Sequence, residues 1–422
     1  MTLRTRHIME QIKRGNVPEG YKKTKAGILP ADWDVYMLGD CLSRVERPVE
    51  VKPNELYTQI GIRSHGRGLF YKEPVTGAAL GNKAVFWIEP DCFIVNIVFA
   101  WEQAIGKTTQ SEVGMIGSHR FPMYRPVNDR VDIDYLISYF LTKRGTDILE
   151  AASPGGAGRN KTLGQDRFLR SKITLPPIEE QRKIAAILTT QDKVIELKEK
   201  RLAEKQRQKK YLMQQLLTGK KRLSGFNGTW EKEKLGKCAS MCSGGTPDTK
   251  NEKYYGNDYI WISIKDMTSA GKYICSSERG LTEAGLLNCS ARLFPKGTIL
   301  FAMYASIGEC SIAETECCSS QAILGIEPDS KLNNEFLYYL LSNSKGYFKS
   351  FGQASSQPNL NKGIVQSIVV QIPEIEEQAA IAEVLSTADR EIELLQQDIE
   401  QEKRKKKALM QLLLTGIVRV KT

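Results

Sequence analysis

The sequence predicts an α+β protein in which one unit occurs twice, each copy being a mixed α/β domain followed by a long helix. Three observations predict this class. A segment near the middle of the chain recurs close to its end, and it has the apolar period of an amphipathic helix. The stretches before the two copies contain short β-rich runs between Gly, Pro and Asn residues. Together they indicate a pseudo-twofold internal repeat.

The repeat is strongest in the helical segment. IEEQRKIAAILTTQDKVIEL begins at Ile178 and recurs as IEEQAAIAEVLSTADREIEL from Ile375, which lies 197 positions further along. About half of the positions from 178 to 222 are identical in the second copy, far more than unrelated segments share. The same offset relates residues at the start of each domain, namely Trp33, Leu38, Gly39, Cys41 and Ser43 to Trp230, Leu235, Gly236, Cys238 and Ser240.

Each recurring segment predicts one long helix. Apolar residues follow one another at three- and four-residue steps over ~40 residues without proline, which corresponds to about 60 Å of helix. Gly219 and Gly416 provide a C-terminal stop at the same place in both copies. An apolar stripe of that length has to be buried, and the other copy is the nearest candidate.

The charges favour an antiparallel coiled coil. The first helix is basic from Lys198 to Lys210, whereas the second is acidic from Asp389 to Glu402 before a basic run from 403 to 407. Antiparallel pairing places the basic run of each helix opposite acidic residues of the other, and parallel pairing would place the two basic runs together. The alternative is two solvated helices docked separately on their own domains, because surface ion pairs contribute little.

These features divide the chain into five segments. They are an N-terminal arm (1–27), a first α/β domain (28–177), the first long helix with a linker (178–222), a second α/β domain (223–374), and the second long helix with a C-terminal tail (375–422). Within the domains, strands are predicted at 84–88, 93–98, 259–264 and 297–301, and matching short helices at 134–142 and 335–342.

Composition limits the class of function. A formal charge of +11 permits an anionic partner without identifying one. The nine cysteines lack zinc-finger spacing, so we expect reduced thiols and no metal site. No apolar run reaches the ~18 residues of a membrane span, and the N-terminus has no secretory h-region. We therefore expect a cytoplasmic protein that does not associate with membranes.

Several motifs together resemble one family. LPPIEEQ (175–181) and IPEIEEQ (372–378) precede the helices, which end in QQLLTG and QLLLTG. GGTPDTKNEKYYGNDYIWISIKDM (244–267), LTEAGLLNCSARLFPKGTILFA (281–302) and SSQAILGI (319–326) follow in the second domain. The whole chain resembles the specificity (HsdS) subunits of type I restriction–modification systems. The first domain departs from this pattern, since it lacks the Gly-Gly-Thr-Pro opening and resembles another recognition class, marked by SPGGAGRNKTLGQDRF (153–168).

The resemblance implies a DNA-recognition subunit without catalytic activity. Two target recognition domains would each bind one half of an interrupted, asymmetric site on double-stranded DNA. The antiparallel helices would set the gap and dock two methyltransferase subunits, and two restriction/translocase subunits would join outside. S-adenosylmethionine, ATP and Mg would be bound by those partners, so no cofactor is expected on this chain.

Candidate DNA contacts lie in a glycine-rich loop of the first domain. Glycines allow close approach to phosphates, Arg can bind guanine, and Asn or Gln can bind adenine. The candidates are Arg159, Asn160, Lys161, Gln165 and Arg167. The alternative for each is a solvated surface turn.

The second domain has an equivalent polar stretch just before its long helix. Its candidates are Gln357, Asn359, Asn361 and Lys362. Arg63, Lys265 and Tyr304 are added because they lie at the ends of predicted strands, although each could be an ordinary exposed residue. Trp33 and Trp230 begin matching strands, which predicts core positions.

No catalytic residue is assigned. An adenine methyltransferase needs an Asp/Asn-Pro-Pro-aromatic motif, but Pro176-Pro177 follows Leu175. Pro247-Asp248 is similar to a nuclease metal motif, yet Lys253 directly follows Glu252 without the usual intervening residue, and no phosphate-binding loop of a motor occurs. Two other functions stay open: a coiled-coil scaffold joining protein-binding domains, and a stand-alone transcriptional regulator.

Overall fold

The computed structural model describes residues 3–24, 27–81, 83–156, 161–348 and 360–420. The chain forms two compact units, one made of Met1–Glu199 with Asp398–Thr422 and the other of Lys200–Gln397. Each unit therefore contains one α/β domain, the beginning of one long helix and the end of the other. This arrangement agrees with the α+β class and the internal repeat.

The first unit contains many short strands. They are β1 (Tyr21–Thr24), β2 (Gly27–Pro30), β3 (Asp34–Met37), β4 (Leu42–Val45), β5 (Leu56–Tyr57), β6 (Ile60–Ile62), β7 (Leu69–Tyr71), β8 (Val75–Thr76), β9 (Val85–Trp87), β10 (Phe93–Val95), β11 (Ile105–Lys107), β12 (Ile116–Ser118), β13 (Met123–Pro126) and β14 (Lys172–Leu175). Its short helices are α1 (Leu3–Lys13), α2 (Gly77–Leu80), α3 (Ile133–Phe140), α4 (Lys143–Ala151) and α5 (Gln165–Arg170).

A four-stranded antiparallel sheet organises the first domain, with the strand order β11-β10-β13-β4. Its buried face carries Phe93 and Tyr124, which pack with Phe140 of α3 and Phe168 of α5 at ring-centroid distances of 5.5–6.5 Å. Phe168 thereby anchors α5 in the core of the first domain.

The second unit has the same plan with different insertions. Its strands are β15 (Glu231–Lys234), β16 (Ala239–Ser243), β17 (Tyr255–Gly256), β18 (Tyr259–Ile262), β19 (Tyr273–Ile274), β20 (Gly280–Leu281), β21 (Ile299–Ala302), β22 (Cys310–Ala313), β23 (Cys318–Ser319), β24 (Ile323–Pro328) and β25 (Val369–Ile372). Its short helices are α7 (Leu235–Cys238), α8 (Ile264–Ala270), α9 (Glu283–Leu287), α10 (Asn334–Asn343) and α11 (Lys362–Ser367).

Two sheets build the second domain. The first has the order β16-β24-β21-β22-β19, in which only the β19–β22 pair is parallel. The second has the order β17-β20-β18-β23. The pairs β3–β14 and β15–β25 correspond residue by residue at the offset of 197, since Tyr36 pairs with Ile173 and Glu233 with Val370.

The two long helices, α6 (Ile178–Leu216) and α12 (Ile375–Leu413), have 39 residues each. In the first unit, Lys403 of α12 pairs with Glu199 of α6 at 2.9 Å, and Lys406 pairs with Asp192 at 2.5 Å. Residue numbers rise along one helix as they fall along the other, so the pairing is antiparallel.

The second unit shows the same direction of pairing. Lys205 of α6 contacts Glu391 of α12 at 2.6 Å, and Lys209 contacts Asp389. Apolar residues near the helix ends are buried in the core of each unit, for example Leu216 and Leu385 in the second. The antiparallel coiled coil is thus confirmed within each unit.

The short helices fall where the sequence predicts them, and the predicted strands are shorter than expected. One prediction is wrong: strand β18 ends at Ile262, and 264–270 is a helix. Ser263 caps this helix, because its hydroxyl accepts from the amide of Asp266 while the Asp266 carboxylate accepts from the amide of Ser263. Over the described ranges, no helix is long and apolar enough to cross a membrane.

Candidate nucleic-acid interface

Four loops of the second domain meet at one end of its larger sheet. The Met303 amide, just after β21, donates to the carbonyl of Ala322 at 2.9 Å. The carbonyl of Met303 in turn accepts from the Leu360 amide at 3.1 Å. The Gly244 amide, after β16, donates to the carbonyl of Ile323 at 3.0 Å. These backbone hydrogen bonds bring together the residues that follow β16 and β21, the residues that precede β24, and Leu360, which lies just before α11.

Three predicted contact residues lie at this end of the sheet. Tyr304 follows Met303, and its ring is partly buried and packs against the core, so it is not the ordinary exposed residue that the alternative described. Asn361 is the N-cap of α11, its side-chain oxygen accepting from the amide of Ile364 at 3.0 Å, and Lys362 is exposed. Gln357 and Asn359 lie outside the described residues.

Lys265 is exposed on α8 instead of standing at a strand end, which corrects its expected position. It still lies near the same group of loops, because the Ser320 amide donates to the carbonyl of Ile262 at 3.0 Å. The Lys265 ammonium contacts the carboxylate of Glu278 at 2.5 Å, and this hydrogen bond raises the pKa of Lys265. A contact with DNA would have to compete with that ion pair.

The first domain has an equivalent group of loops. The Ile97 amide, after β10, donates to the carbonyl of Arg120 at 3.0 Å, and the Leu163 amide donates to Ile97 at 2.8 Å. Leu163 and Leu360 are 197 positions apart, so the same backbone bond joins the segment before α5 or α11 to the sheet. The two domains therefore present their loops through the same backbone connection.

The structure brings Lys161 and the hairpin of Arg63 to the same segment. The Lys161 ammonium lies 5.4 Å from the ring centroid of Trp101. The tip of the β6–β7 hairpin is fixed beside Trp101, because the amide of His65 donates to the carbonyl of Glu102 at 2.8 Å. Arg63 follows β6, as predicted, and lies 5.1 Å from the centroid of Phe70 while donating to the carbonyl of Leu69.

Two candidates lie on α5. The Gln165 side-chain oxygen accepts from the buried hydroxyl of Tyr124 at 3.2 Å, which gives this residue a structural role. Arg167 is exposed. Arg159 and Asn160 lie outside the described residues, so their contacts with DNA stay a prediction.

The Glu residues of the IEEQ motif have a role that the sequence analysis missed. Glu180 is fully buried and accepts from Arg419 at 2.7 and 2.8 Å and from the indole N–H of Trp33 at 3.3 Å. Arg419 also holds the carboxylate of Asp32, and these hydrogen bonds lower the pKa of Asp32.

The second unit repeats this cluster. Glu377 accepts from Arg222 at 2.6 and 2.7 Å and from the indole N–H of Trp230 at 3.2 Å. Arg222 and Arg419 are themselves 197 positions apart, a match visible in the sequence. Trp33 is a core residue, as predicted, and Trp230 is partly buried.

The following glutamine connects each long helix to its domain. The Gln181 amide donates to the carbonyls of Arg130 and Pro176, both at 2.9 Å, and accepts from the amide of Asp132 at 3.0 Å. Gln378 makes the corresponding bonds with Lys331, Pro373 and Asn333. The IEEQ motif is therefore a structural junction.

The cysteines and acidic residues were expected to form no metal site, which stays a prediction. Within 3–24, 27–81, 83–156, 161–348 and 360–420, no group of three or more His, Cys, Asp or Glu residues could hold a metal ion. All nine cysteines are free thiols, and burial raises the pKa of Cys317 and Cys318 to about 12.

Comparison with known proteins places these features in context. A family model for the type I restriction modification DNA specificity domain matches residues 82–206 and 227–403. The putative type I restriction enzyme MjaX specificity subunit of Methanocaldococcus jannaschii is 26% identical over 96% of this chain and 98% of that protein. The MjaIX specificity subunit of the same organism is 36% identical over 39% of each chain.

Solved structures show the same fold. The HsdS subunit of Thermoanaerobacter tengcongensis matches with a TM-score of 0.51 at 19% identity, over 92% of this chain and 98% of that chain. A chain from a study of complex assembly and conformational transition of the type I R-M system matches with a TM-score of 0.60 at 20% identity, over 92% and 99%.

Proposed function

The chain belongs to the family of type I restriction–modification DNA specificity subunits, and from this premise we propose that each α/β domain binds one half of an interrupted DNA site. The observation that carries the proposal is the pair of equivalent loop groups, joined to their sheets by the Leu163 and Leu360 amides. Because the side chains on the two groups differ, the two half-sites differ as well.

The loop groups have the chemistry of DNA contacts. Lys161 and Lys362 offer ammonium groups to phosphates. Arg63, just after β6, has an exposed guanidinium that would exchange its bond to the Leu69 carbonyl for one to a phosphate. Phosphate contacts position a protein on the duplex, whereas side chains at base edges provide specificity. The candidates are therefore assigned chiefly to affinity and orientation.

Modification and cleavage belong to partner subunits in this proposal. The chain acts as a non-catalytic member of a complex with two methyltransferase subunits and two restriction/translocase subunits. S-adenosylmethionine, ATP and Mg bind to those partners. The paired helices dock the methyltransferases and set the number of base pairs between the half-sites.

The test is co-expression of the full chain with its methyltransferase subunit, followed by mapping of modified adenines on genomic DNA. We expect one interrupted, asymmetric motif whose two parts differ in sequence. Absence of modification, or modification of a continuous palindrome, would contradict the proposal. Specific binding to the same site by the chain alone would instead favour a stand-alone regulator.

A further inference from the structure

The short loops before β13 and β24 occupy equivalent places in the two domains. The backbone carbonyl of Arg120 accepts from the amide of Ile97, and the carbonyl of Ala322 accepts from the amide of Met303. Ile97 and Met303 are also the residues whose carbonyls accept from Leu163 and Leu360, so each loop lies beside the equivalent backbone connection. We propose that these loops read bases, through Arg120 in the first domain and Gln321 in the second. The inference rests on the proposed function and names residues that discriminate between bases.

Both side chains are available for a ligand. Arg120 and Gln321 are exposed, and neither side chain has a hydrogen-bond or ion-pair partner among the described residues. By contrast, Gln165 and Lys265 already contact Tyr124 and Glu278. A polar side chain that is held near the sheet and has no protein partner can bind a base edge without first breaking an internal contact.

The backbone of the second loop is fixed by close packing. A Cβ atom on Gly244 would lie 2.2 Å from the carbonyl oxygen of Ser319, and one on Gly245 would lie 2.2 Å from the backbone nitrogen of Ala291. Only glycine allows such an approach. The indole N–H of Trp261 donates to the carbonyl of Gly245 at 2.9 Å. The Gly-Gly-Thr-Pro opening thereby holds the segment before Gln321 in place.

The first loop is fixed by a tight turn. The Phe121 amide donates to the carbonyl of Ser118 at 2.8 Å, and the Arg120 amide donates to the Ser118 hydroxyl at 3.3 Å. The amide of His119 donates to the carbonyl of Ala84 at 3.2 Å. Both loops are therefore preorganised, as a site for specific recognition requires.

The opposite end of the second sheet is joined to helices. The side-chain amide of Asn334, on α10, donates to the carbonyl of Gly297 before β21 at 2.6 Å, and Gln378 of α12 donates to Lys331 at 2.8 Å. The loop end is attached differently, because Lys345, just after α10, pairs with Glu309 in the loop after β21, and neither residue contacts Gln321.

The two side chains prefer different bases. Arg binds guanine through O6 and N7, and Gln binds adenine through N6 and N7, in the major groove. We therefore expect Arg120 to select guanine at one position of the first half-site. We expect Gln321 to select adenine at one position of the second.

The experiment uses the complex of the full chain with its methyltransferase and compares the modified motif of the wild type with those of Arg120→Gln and Gln321→Arg. We expect guanine to be replaced by adenine at one position of the first half-site for Arg120→Gln. For Gln321→Arg we expect the reverse exchange in the second half-site, with the other half-site unchanged in each case. Lys296→Ala, an exposed change at the opposite end of the sheet, should leave the motif unaltered.

A binding assay covers variants that no longer modify DNA. Duplexes carrying the wild-type motif, with each base pair replaced in turn, are titrated against complexes containing Arg120→Ala or Gln321→Ala. Replacing the contacted base pair should lower the affinity of the wild-type complex about tenfold. The same replacement should leave the affinity of the complex with the Ala variant unchanged. An unchanged motif, or an Ala variant that still discriminates at every position, would overturn the inference. Absence of an interrupted motif for the wild type would instead overturn the proposed function.

Discussion

Arg419 donates two hydrogen bonds to Glu180, and thereby joins the segment after the second long helix to the first turn of the first long helix. Arg222 and Glu377 form the same pair in the other unit. Each carboxylate is almost fully buried and receives an indole N–H in addition. The two pairs hold equivalent helix junctions.

Replacing Glu180 by Gln should destabilise the first unit by about 2 kcal/mol, because the Arg419 guanidinium loses its charge-assisted hydrogen bonds to the buried carboxylate and keeps only Asp32. Hydrogen exchange of the full chain, resolved by segment, measures this change. Exchange should accelerate in 28–199 and 398–420 and stay unchanged in 223–374. Glu179→Gln, which alters the exposed neighbour, is the control and should have little effect. Equal acceleration in both units would contradict a local junction.

The pH dependence of the helix pairing depends on Glu402. Hydrogen bonds from Lys198 and Gln191 lower the pKa of Glu402 to about 2. Since the folded-state pKa lies below the unfolded value of about 4.3, the stabilisation is complete above that value and is lost as the pH falls towards 2. Glu402→Gln should therefore flatten the decline in unfolding free energy between pH 4.5 and 2, measured by urea titration at each pH. An unchanged decline would show that other carboxylates dominate.

Removing the charge of Lys161 should weaken DNA binding at every sequence to a similar extent. A phosphate contact contributes about 0.9 to the slope of log K against log salt, so Lys161→Ala should reduce the slope of the assembled complex by about that amount. Titration of DNA at several salt concentrations provides the slope. Lys143→Ala is the matched control, since its ammonium is already paired with Asp147 at 2.6 Å, and a similar effect there would point to general electrostatics.

Lengthening both long helices by one turn should lengthen the gap and leave the half-sites unchanged. Four added residues in each helix, inserted after Glu199 and after Gln397, add about 6 Å, against about 3.4 Å per base pair. The gap is expected to grow by one or two base pairs, as mapped from the modified motif. Altered half-site sequences would contradict a spacing role for the helices.

Much of the fold could be predicted because the repeat is visible in the order of apolar and charged residues along the sequence. The offset of 197 positions located both long helices, and their charges indicated the antiparallel direction later seen in contacts such as Lys406 with Asp192. Lys265 was predicted to lie at a strand end because the apolar residues of 259–264 suggested one continuous strand. The capping box of Ser263 and Asp266 instead starts a helix at Ile264.

The candidate site was only partly predictable, because its connections join distant parts of the chain. Arg419 and Glu180 are separated by 239 positions, and no local pattern pairs them. Gln165 looked like a base contact, yet it binds Tyr124, which lies 41 positions away. The sequence did not indicate Arg120 as a DNA contact, because its position beside the other loops depends on the hydrogen bond between its carbonyl and the distant amide of Ile97.

The division of the chain into units has a consequence for biosynthesis. The second unit is continuous, Lys200–Gln397, whereas the first needs Asp398–Thr422 to complete its helix pair. Although domains usually fold from the N-terminus during synthesis, here the later-made unit has all of its residues first. Until Arg419 is synthesised and pairs with Glu180, the carboxylate of Glu180 has no cationic partner from the end of the chain. In ribosome-bound chains, we therefore expect the junction at Glu180 to stay sensitive to proteases for longer than the junction at Glu377.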